Sequence, residues 1–385
     1  MRLAIIRRRY NPYGGAERFI ERLLPRLTQR GIKNTIITEN WSGPNSADSM
    51  EYIRVQSPGF TRAARFKSFQ KSVHTALNQE TAAGRKFDLI QSHERMTGID
   101  IFRLGDGVHA AWVKRLQREL SGIRSLWLGL DPYHRAVIET ERAMALDSKL
   151  HYVANSSLVV NELQEYWSVP DSRITLIPNG VDTSFFTPAT PTQKEESRQA
   201  VAQQHSVAIT PETLIIAVVG SGFSRKGIFP LIEACAKVKN YVLLICGEDK
   251  ATHKAKALIK HLGVESRIAL TGPLEDVRSL LWAADLFALP SLYDPSSNAV
   301  LEALACGLPV IVTRDVGMAW EITDTDAGMI CDRSVASLLQ AFRKFEDTGR
   351  RQHMTYQARA FALRYDQSQI IEQWLEFYRT MRARR

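Results

Sequence analysis

Short apolar or β-branched runs alternate with longer stretches of helical spacing along the chain, the pattern of repeated βα units and parallel sheets. In the first half the runs predict strands at Leu3–Ile6, Asn34–Thr38, Tyr52–Val55, Leu89–Ser92, Ile101–Arg103 and Tyr152–Ala154. The second half predicts strands at Ile174–Ile177, Ile215–Val219, Tyr241–Cys246, Ile268–Thr271, Leu286–Leu289 and Val310–Thr313. Each set reads as one doubly wound α/β layer. Pro178 and Asn179-Gly180 interrupt the pattern between them, and residues 189–211 are polar and helical in spacing. From about Thr355 the tail returns to an amphipathic helical pattern, marked by Phe361, Leu363, Trp374, Leu375, Phe377 and Tyr378, so it needs an apolar surface to lie on. These breaks predict domains at 1–172 and 173–355, and a terminal helix over 356–385.

A length of 385 residues agrees with two domains of about 150 residues or more. Hydrophobic residues at 44% and charged residues at 24% exclude a disordered chain or a disulfide framework. Cys235, Cys246, Cys306 and Cys331 have no C-x-x-C spacing, which argues against a zinc site or redox pair and for reduced core thiols in a cytoplasmic protein. The opening MRLAIIRRRY is too briefly apolar for an export signal, and no run approaches the roughly 18 residues of a membrane span. Net charge is +9, unevenly spread. Residues 1–175 carry 26 Lys and Arg against 18 Asp and Glu, whereas residues 176–385 carry 24 against 23. An anionic partner is therefore expected, chiefly for the first half.

Several loops follow predicted strands, where parallel sheets present their ligand-binding groups. The most specific is Pro290–Val310, in which a polar loop leads into a helix starting near Ser297 that Gly307 and Pro309 stop. Ser297, Asn298, Ala299 and Val300 would turn backbone N–H groups and the helix dipole toward a phosphate. Asp294 precedes this helix and Glu302 lies inside it. Gly220-Ser221-Gly222-Phe223-Ser224-Arg225-Lys226-Gly227 follows another strand and offers a guanidinium fork and an ammonium to a diphosphate. It fails as a dinucleotide fingerprint, lacking the third small residue and the downstream acid. Gly14 and Gly15 allow close backbone approach after the first strand, with Glu17 and Arg18 beyond them. His93, Asp106 and His109 stand after later strands of the first half, with helix capping or a satisfied structural role as alternatives.

These segments resemble, in order, the retaining GT-B glycosyltransferases of family 4. The resemblance covers nearly the whole chain and implies two Rossmann-like domains facing across a cleft, with the terminal helix returning to the N-domain. The Asp294/Glu302 pair is similar to the family's E-x7-E region, where the first acid contacts the donor sugar and the second the ribose; here Asp replaces the first Glu. Arg225 and Lys226 match the phosphate-binding pair, Leu274 the base-binding loop after Gly272-Pro273, and Gly14, Gly15 and Gly222 the donor loops. Asp106 and His109 fall near the reacting centre, while Glu17, Arg18 and His93 fall on the acceptor side.

The implied reaction is transfer of a hexosyl unit from a nucleotide-diphosphate sugar with retention, the cations and helix end meeting the charge that grows on the leaving diphosphate. No metal or other cofactor is then required. The loop order is most similar to that of lipopolysaccharide core glucosyltransferases. This implies UDP-glucose as donor, a phosphorylated lipid-linked acceptor, and peripheral contact with an anionic membrane on the cytoplasmic face through the basic, Trp-bearing segments 112–118 and 123–130. UDP-N-acetylglucosamine or GDP-mannose as donor, and a nucleotide-sugar 2-epimerase, remain alternatives. The arginines do not sit on a recognisable nucleic-acid-reading module.

Overall fold

The structure is a computed structural model that describes residues 1–9, 15–41, 50–120 and 122–384, with the side chains of all of these except 15–19, 22, 50 and 123. It divides into two compact units, Met1–Asn179 with Gln369–Arg385, and Gly180–Ser368.

The first unit carries β1 (Arg2–Ile6), α1 (Gly15–Gln29), β2 (Lys33–Thr38), β3 (Met50–Arg54), α2 (Arg62–Ala82), β4 (Leu89–Ser92), β5 (Ile101–Leu104), α3 (His109–Glu119), α4 (Ile123–Leu130), α5 (Pro132–Leu146), β6 (His151–Ala154), α6 (Ser157–Trp167) and β7 (Ile174–Leu176). Its strands pair in parallel in the order β3-β2-β1-β4-β5-β6-β7. The two-residue period of β1 divides its side chains between two cores: Leu3 and Ile5 join one, Ala4 and Ile6 the other.

The second unit contains α7 (Pro191–His205), β8 (Leu214–Val219), α8 (Phe223–Lys226), α9 (Ile228–Ala236), β9 (Tyr241–Cys246), α10 (Thr252–His261), β10 (Ile268–Gly272), α11 (Arg278–Ala283), β11 (Leu286–Leu289), α12 (Asn298–Ala305), β12 (Val310–Val312), α13 (Ala319–Asp324), β13 (Gly328–Ile330), α14 (Val335–Lys344) and α15 (Thr348–Leu363). Its parallel order is β10-β9-β8-β11-β12-β13. Helix α16 (Gln367–Ala383) ends the chain. Its Ile370, Ile371, Trp374, Leu375, Phe377 and Tyr378 share a core with Leu3 and Ile5 of β1 and Ile20, Leu23 and Leu27 of α1.

Side-chain caps mark many helix starts. Thr61 accepts from Ala64 N at α2, Asp131 from Tyr133 N at α5, and Thr190 forms a capping box with Gln193 at α7.

The sequence divides the chain at 172/173, whereas the units divide at 179/180. The run at Ile174 is the seventh strand of the first sheet, parallel to β6, rather than the first strand of the second. Its apolar residues satisfy either sheet equally well, so periodicity alone could not assign it. Helix α15 belongs to the second unit and packs on α12, so the first unit takes up the chain again only from Gln369, within α16. Strand β13 escaped notice because Gly328-Met329-Ile330 is short and poor in β-branched residues.

Candidate active site

In an open parallel sheet the ligand crevice lies at the carboxyl ends of the strands where the order reverses. In the second unit that point falls between β8 and β11. The Gly220–Gly227 turn follows β8 and the Pro290–Ser297 loop follows β11, so two segments nearly seventy residues apart in sequence meet there. Leu292 N donates to Arg225 O at 2.7 Å and Ser291 Oγ to the same carbonyl at 3.1 Å. Arg333 Nη2 donates to Ser224 O at 2.8 Å and its Nε to Pro290 O at 3.2 Å, clasping both loops. Asp249 Oδ2 accepts from Phe223 N at 2.6 Å and fixes the start of α8. Neither Asp249 nor Arg333 was legible as a supporting residue, because each lies after a different strand.

Within this frame Asp294 stands between the two cations. Its Oδ2 is 3.6 Å from Arg225 Nη1 and 3.8 Å from Lys226 Nζ. Lys226 is only 8% exposed and also donates to Val219 O at 3.1 Å. Burial pulls its ammonium pKa below the ordinary lysine value and Arg225 adds to the fall, while Asp294 and Glu302 oppose it. Asp294 thus bridges the two cations that the resemblance assigns to a diphosphate, while Glu302 acts on Lys226 as a second acid. Asp294 is itself fixed through its backbone, its N–H donating to Asp315 O at 3.0 Å and its C=O accepting from Gly317 N at 2.9 Å.

Helix α12 begins at Asn298 with Ser297 as N-cap, its Oγ accepting from Val300 N at 3.4 Å. Val300 is fully buried, Ala299 and Asn298 are half-buried, and Glu302 is 6% exposed on the same helix. Gly222 stands at φ 83° before α8, a left-handed conformation that suits glycine. Leu274 is half-buried after β10.

In the first unit the order reverses between β1 and β4. Gly14 lies outside the described residues; Gly15 opens α1, and Glu17 and Arg18 lie in that helix, their side chains outside the description. His93, after β4, is buried with Nε2 3.1 Å from Gln91 Nε2, while Gln91 Oε1 accepts from Tyr378 of α16 at 2.7 Å. Burial, with Arg103 and Arg7, holds its pKa well below the usual histidine value. His93 is therefore a neutral member of a packed network.

Asp106 is exposed in the turn after β5. His109 opens α3 but caps nothing: Glu141 of α5 accepts from His109 N at 2.7 Å and Ala110 N at 3.2 Å. The same carboxylate takes Arg95 Nε at 2.6 Å, and Arg95 Nη2 donates to Gly107 O at 2.7 Å, so one buried ion pair shapes the whole Gly105–His109 loop. His109 Nε2 lies 2.9 Å from His134 Nδ1, the rings stacked at 5.1 Å. Burial, then Arg95, His134 and Arg62, push the His109 pKa down to about 3. It is a neutral hydrogen-bonding group, not an acid near pH 7. Among the described residues no three His, Cys, Asp or Glu side chains gather to hold a metal ion.

Two family models match the chain, Glycosyltransferase Family 4 over residues 13–185 and Glycosyl transferases group 1 over residues 202–361. The chain belongs to the group 1, family 4 glycosyltransferases. Within this family it is 26% identical to the lipopolysaccharide glucosyltransferase WaaG of Escherichia coli K12, over 84% of this chain and 83% of that protein. It is equally 26% identical to a D-inositol 3-phosphate glycosyltransferase of Corynebacterium urealyticum, over 77% of this chain and 72% of the relative. A crystal structure of WaaG, described as a glycosyltransferase involved in lipopolysaccharide biosynthesis, superimposes with a TM-score of 0.81 at 25% identity, covering 97% of this chain and 99% of that one. The family 4 glycosyltransferase described here thus has the GT-B architecture, with two Rossmann-like parallel-sheet domains.

Proposed function

We propose that the protein transfers a hexosyl unit, with retention at the anomeric carbon and without a metal ion, from UDP-glucose to a lipopolysaccharide core or similar phosphorylated lipid-linked saccharide. The observation that carries this reading is the Arg225–Asp294–Lys226 arrangement at the switch point of the second sheet, beside the start of α12. As the bond from the anomeric carbon to the diphosphate breaks, charge grows on the leaving phosphate. The guanidinium, the desolvated ammonium and the helix dipole meet that charge without reorganising. Cations in these positions supply what a divalent metal supplies elsewhere. Glu302 is assigned to the ribose hydroxyls and Leu274 to the base loop. Asp106 and His109 are assigned to the sugar, His109 as a neutral hydrogen-bond partner.

Helix α4 supports a role at the cytoplasmic face of the inner membrane. Leu126, Trp127 and Leu130 are 70%, 66% and 59% exposed, and Arg124 is exposed among them, a pairing suited to an anionic interface. The neighbouring α3 contributes less, since Val113 is buried and Arg115 is paired with Glu162 at 2.8 Å. No described helix is long and apolar enough to cross a membrane.

The deciding experiment offers labelled UDP-glucose, UDP-N-acetylglucosamine and GDP-mannose to truncated-core lipopolysaccharide in the presence of a chelator, with NMR of the product linkage. Transfer of glucose in an α linkage is expected. Donor converted to an epimer with no acceptor present would replace the reading with a 2-epimerase, and loss of transfer in chelator would remove metal independence. Sedimentation with anionic but not zwitterionic vesicles, weakened by salt, is expected for the membrane contact.

A further inference from the structure

Most arginines near the carboxyl edge of the first sheet are already matched by acids. Arg7 has Glu94 at 3.1 Å, Arg8 and Arg9 share Glu39 at 3.0 Å, and Arg95 has Glu141 at 2.6 Å. Arg62, the first residue of α2, differs: among the described residues no carboxylate lies within ion-pair distance of it, and its guanidinium is fixed 4.1 Å over the ring of Tyr133. That ring is braced edge-on by Phe66 at 5.9 Å, His109 at 6.1 Å and His134 at 5.6 Å. Stacking costs the guanidinium none of its in-plane N–H donors, so it holds a planar fork ready for an oxyanion. Beside it, His134 is 8% exposed, spends Nδ1 on His109 and has no protein partner for Nε2 among the described residues. Asp131, at the start of the same helix as Tyr133 and His134, is occupied as the α5 N-cap by Tyr133 N at 2.7 Å and His134 N at 3.3 Å.

We propose that Arg62, seated on the same Tyr133 ring that His134 packs against, is a subsite for a phosphate monoester on the acceptor. It rests on the reading that the first unit takes an anionic acceptor, and it names the group there that recognises the anion. Arg62 supplies two parallel N–H bonds to phosphate oxygens. The His134 imidazole supplies a third bond, and stacking on the Tyr133 ring orients the exposed guanidinium. The same chemistry would serve a phosphate on a saccharide or the headgroup of phosphatidic acid.

The test titrates the full chain with inorganic phosphate, mannose 6-phosphate and mannose by calorimetry, and with phosphatidic acid or phosphatidylcholine vesicles by sedimentation. The variants are Arg62→Gln, Arg62→Lys and, as a charge-matched control on the exposed face of α5, Arg142→Gln. Expected are binding of both phosphates but not mannose, weakening of at least about 10-fold in Arg62→Gln, an intermediate loss in Arg62→Lys that keeps charge without the fork, and less than about 2-fold change in Arg142→Gln. Selective binding of phosphatidic acid vesicles with the same Arg62 dependence would identify the lipid as the source; vesicles indifferent to Arg62 alongside mannose 6-phosphate that is sensitive would identify the saccharide. Absence of phosphate binding to the unsubstituted protein, or equal weakening by Arg62→Gln and Arg142→Gln, overturns the subsite. If phosphate binding depends on Arg62 while transfer runs equally fast to phosphorylated and dephosphorylated acceptors, the subsite stands and the phosphorylated-acceptor reading falls.

Discussion

A methyl group on Gly220 would press on Lys226 Nζ and stand 2.7 Å from its Cε, at a backbone φ of 126°. Gly220→Ala is therefore expected to displace the ammonium while leaving a folded protein, since the obstructed atoms are the far end of a flexible chain and the φ strain costs about 1–3 kcal/mol. Its turnover should approach that of Lys226→Ala, for which, as for Glu302→Ala, we expect a loss of at least about 10²-fold, as when one preorganised oxyanion donor is removed. Near-normal turnover in both alanine variants would refute the site. Gly227 gives the contrast: a methyl there would meet the Pro290 carbonyl, which is backbone, so Gly227→Ala should lose stability in denaturant unfolding rather than activity alone. The depressed Lys226 pKa adds a pH signature. The ammonium must be charged to meet the diphosphate, so kcat/KM should fall as pH rises through a value below the ordinary lysine range, with the same limb displaced upward in kcat because bound diphosphate restores the proton. Lys226→Arg should abolish that limb. The residues of this site were legible because each follows a strand in a short motif; the sharing of Asp294 by both cations was not, since it depends on how two loops far apart in sequence meet.

At the scale of elements, helix α3 shows where sequence reading stopped. The strand before it, and Asp106 and His109 as candidates after that strand, could be read locally. The carboxylate that satisfies its first N–H groups comes from Glu141, thirty-two residues downstream on α5, and no spacing rule announces it. Removing this buried acid strands Arg95 and two backbone donors, so Glu141→Ala should lower unfolding free energy by about 3–5 kcal/mol. Glu141→Gln, which retains an acceptor, should lose less. The neighbouring His109 couples the element to pH. Its folded pKa of about 3 lies below the unfolded value of about 6.5. The neutral form favoured by folding thus contributes stability that is complete above pH 6.5 and is lost as pH falls toward 3. The slope is at most about 1.4 kcal/mol per pH unit. Denaturant unfolding between pH 7 and 4 should show a shallower acid loss in His109→Gln than in the unsubstituted protein; equal slopes would mean that the imidazole is not held neutral by burial.

For the whole molecule, the observed units sharpen the charge asymmetry visible in the sequence. Residues 1–179 with 369–385 carry 30 Lys and Arg against 20 Asp and Glu, and residues 180–368 carry 20 against 21. The second unit is therefore nearly neutral, so under the proposed function it would meet the nucleotide with two local cations, while the net positive charge that attracts anions at long range resides in the other unit. The sequence showed this tendency but assigned β7 and the second half of α15, residues 356–363, to the wrong partners, because apolar periodicity marks a buried face without saying which core buries it. The amphipathic tail is the informative case. Trp374 is fully buried with Leu3, Ile5, Ile20 and Leu23, so the first unit is complete only when residues from the far end of the chain fill its core. Trp374→Ala should cost that unit about 3–5 kcal/mol. The second unit has its own contiguous core and contains none of these residues, so unfolding should not be two-state. Differential scanning calorimetry is expected to resolve two transitions, the substitution lowering one of them and leaving the other in place. Adding UDP should raise only the transition that the substitution spares, because a ligand stabilises the unit that binds it. A single transition shifted by both the substitution and UDP would instead mean that the two cores fold as one cooperative body, with donor binding and the C-terminal helix thermodynamically linked.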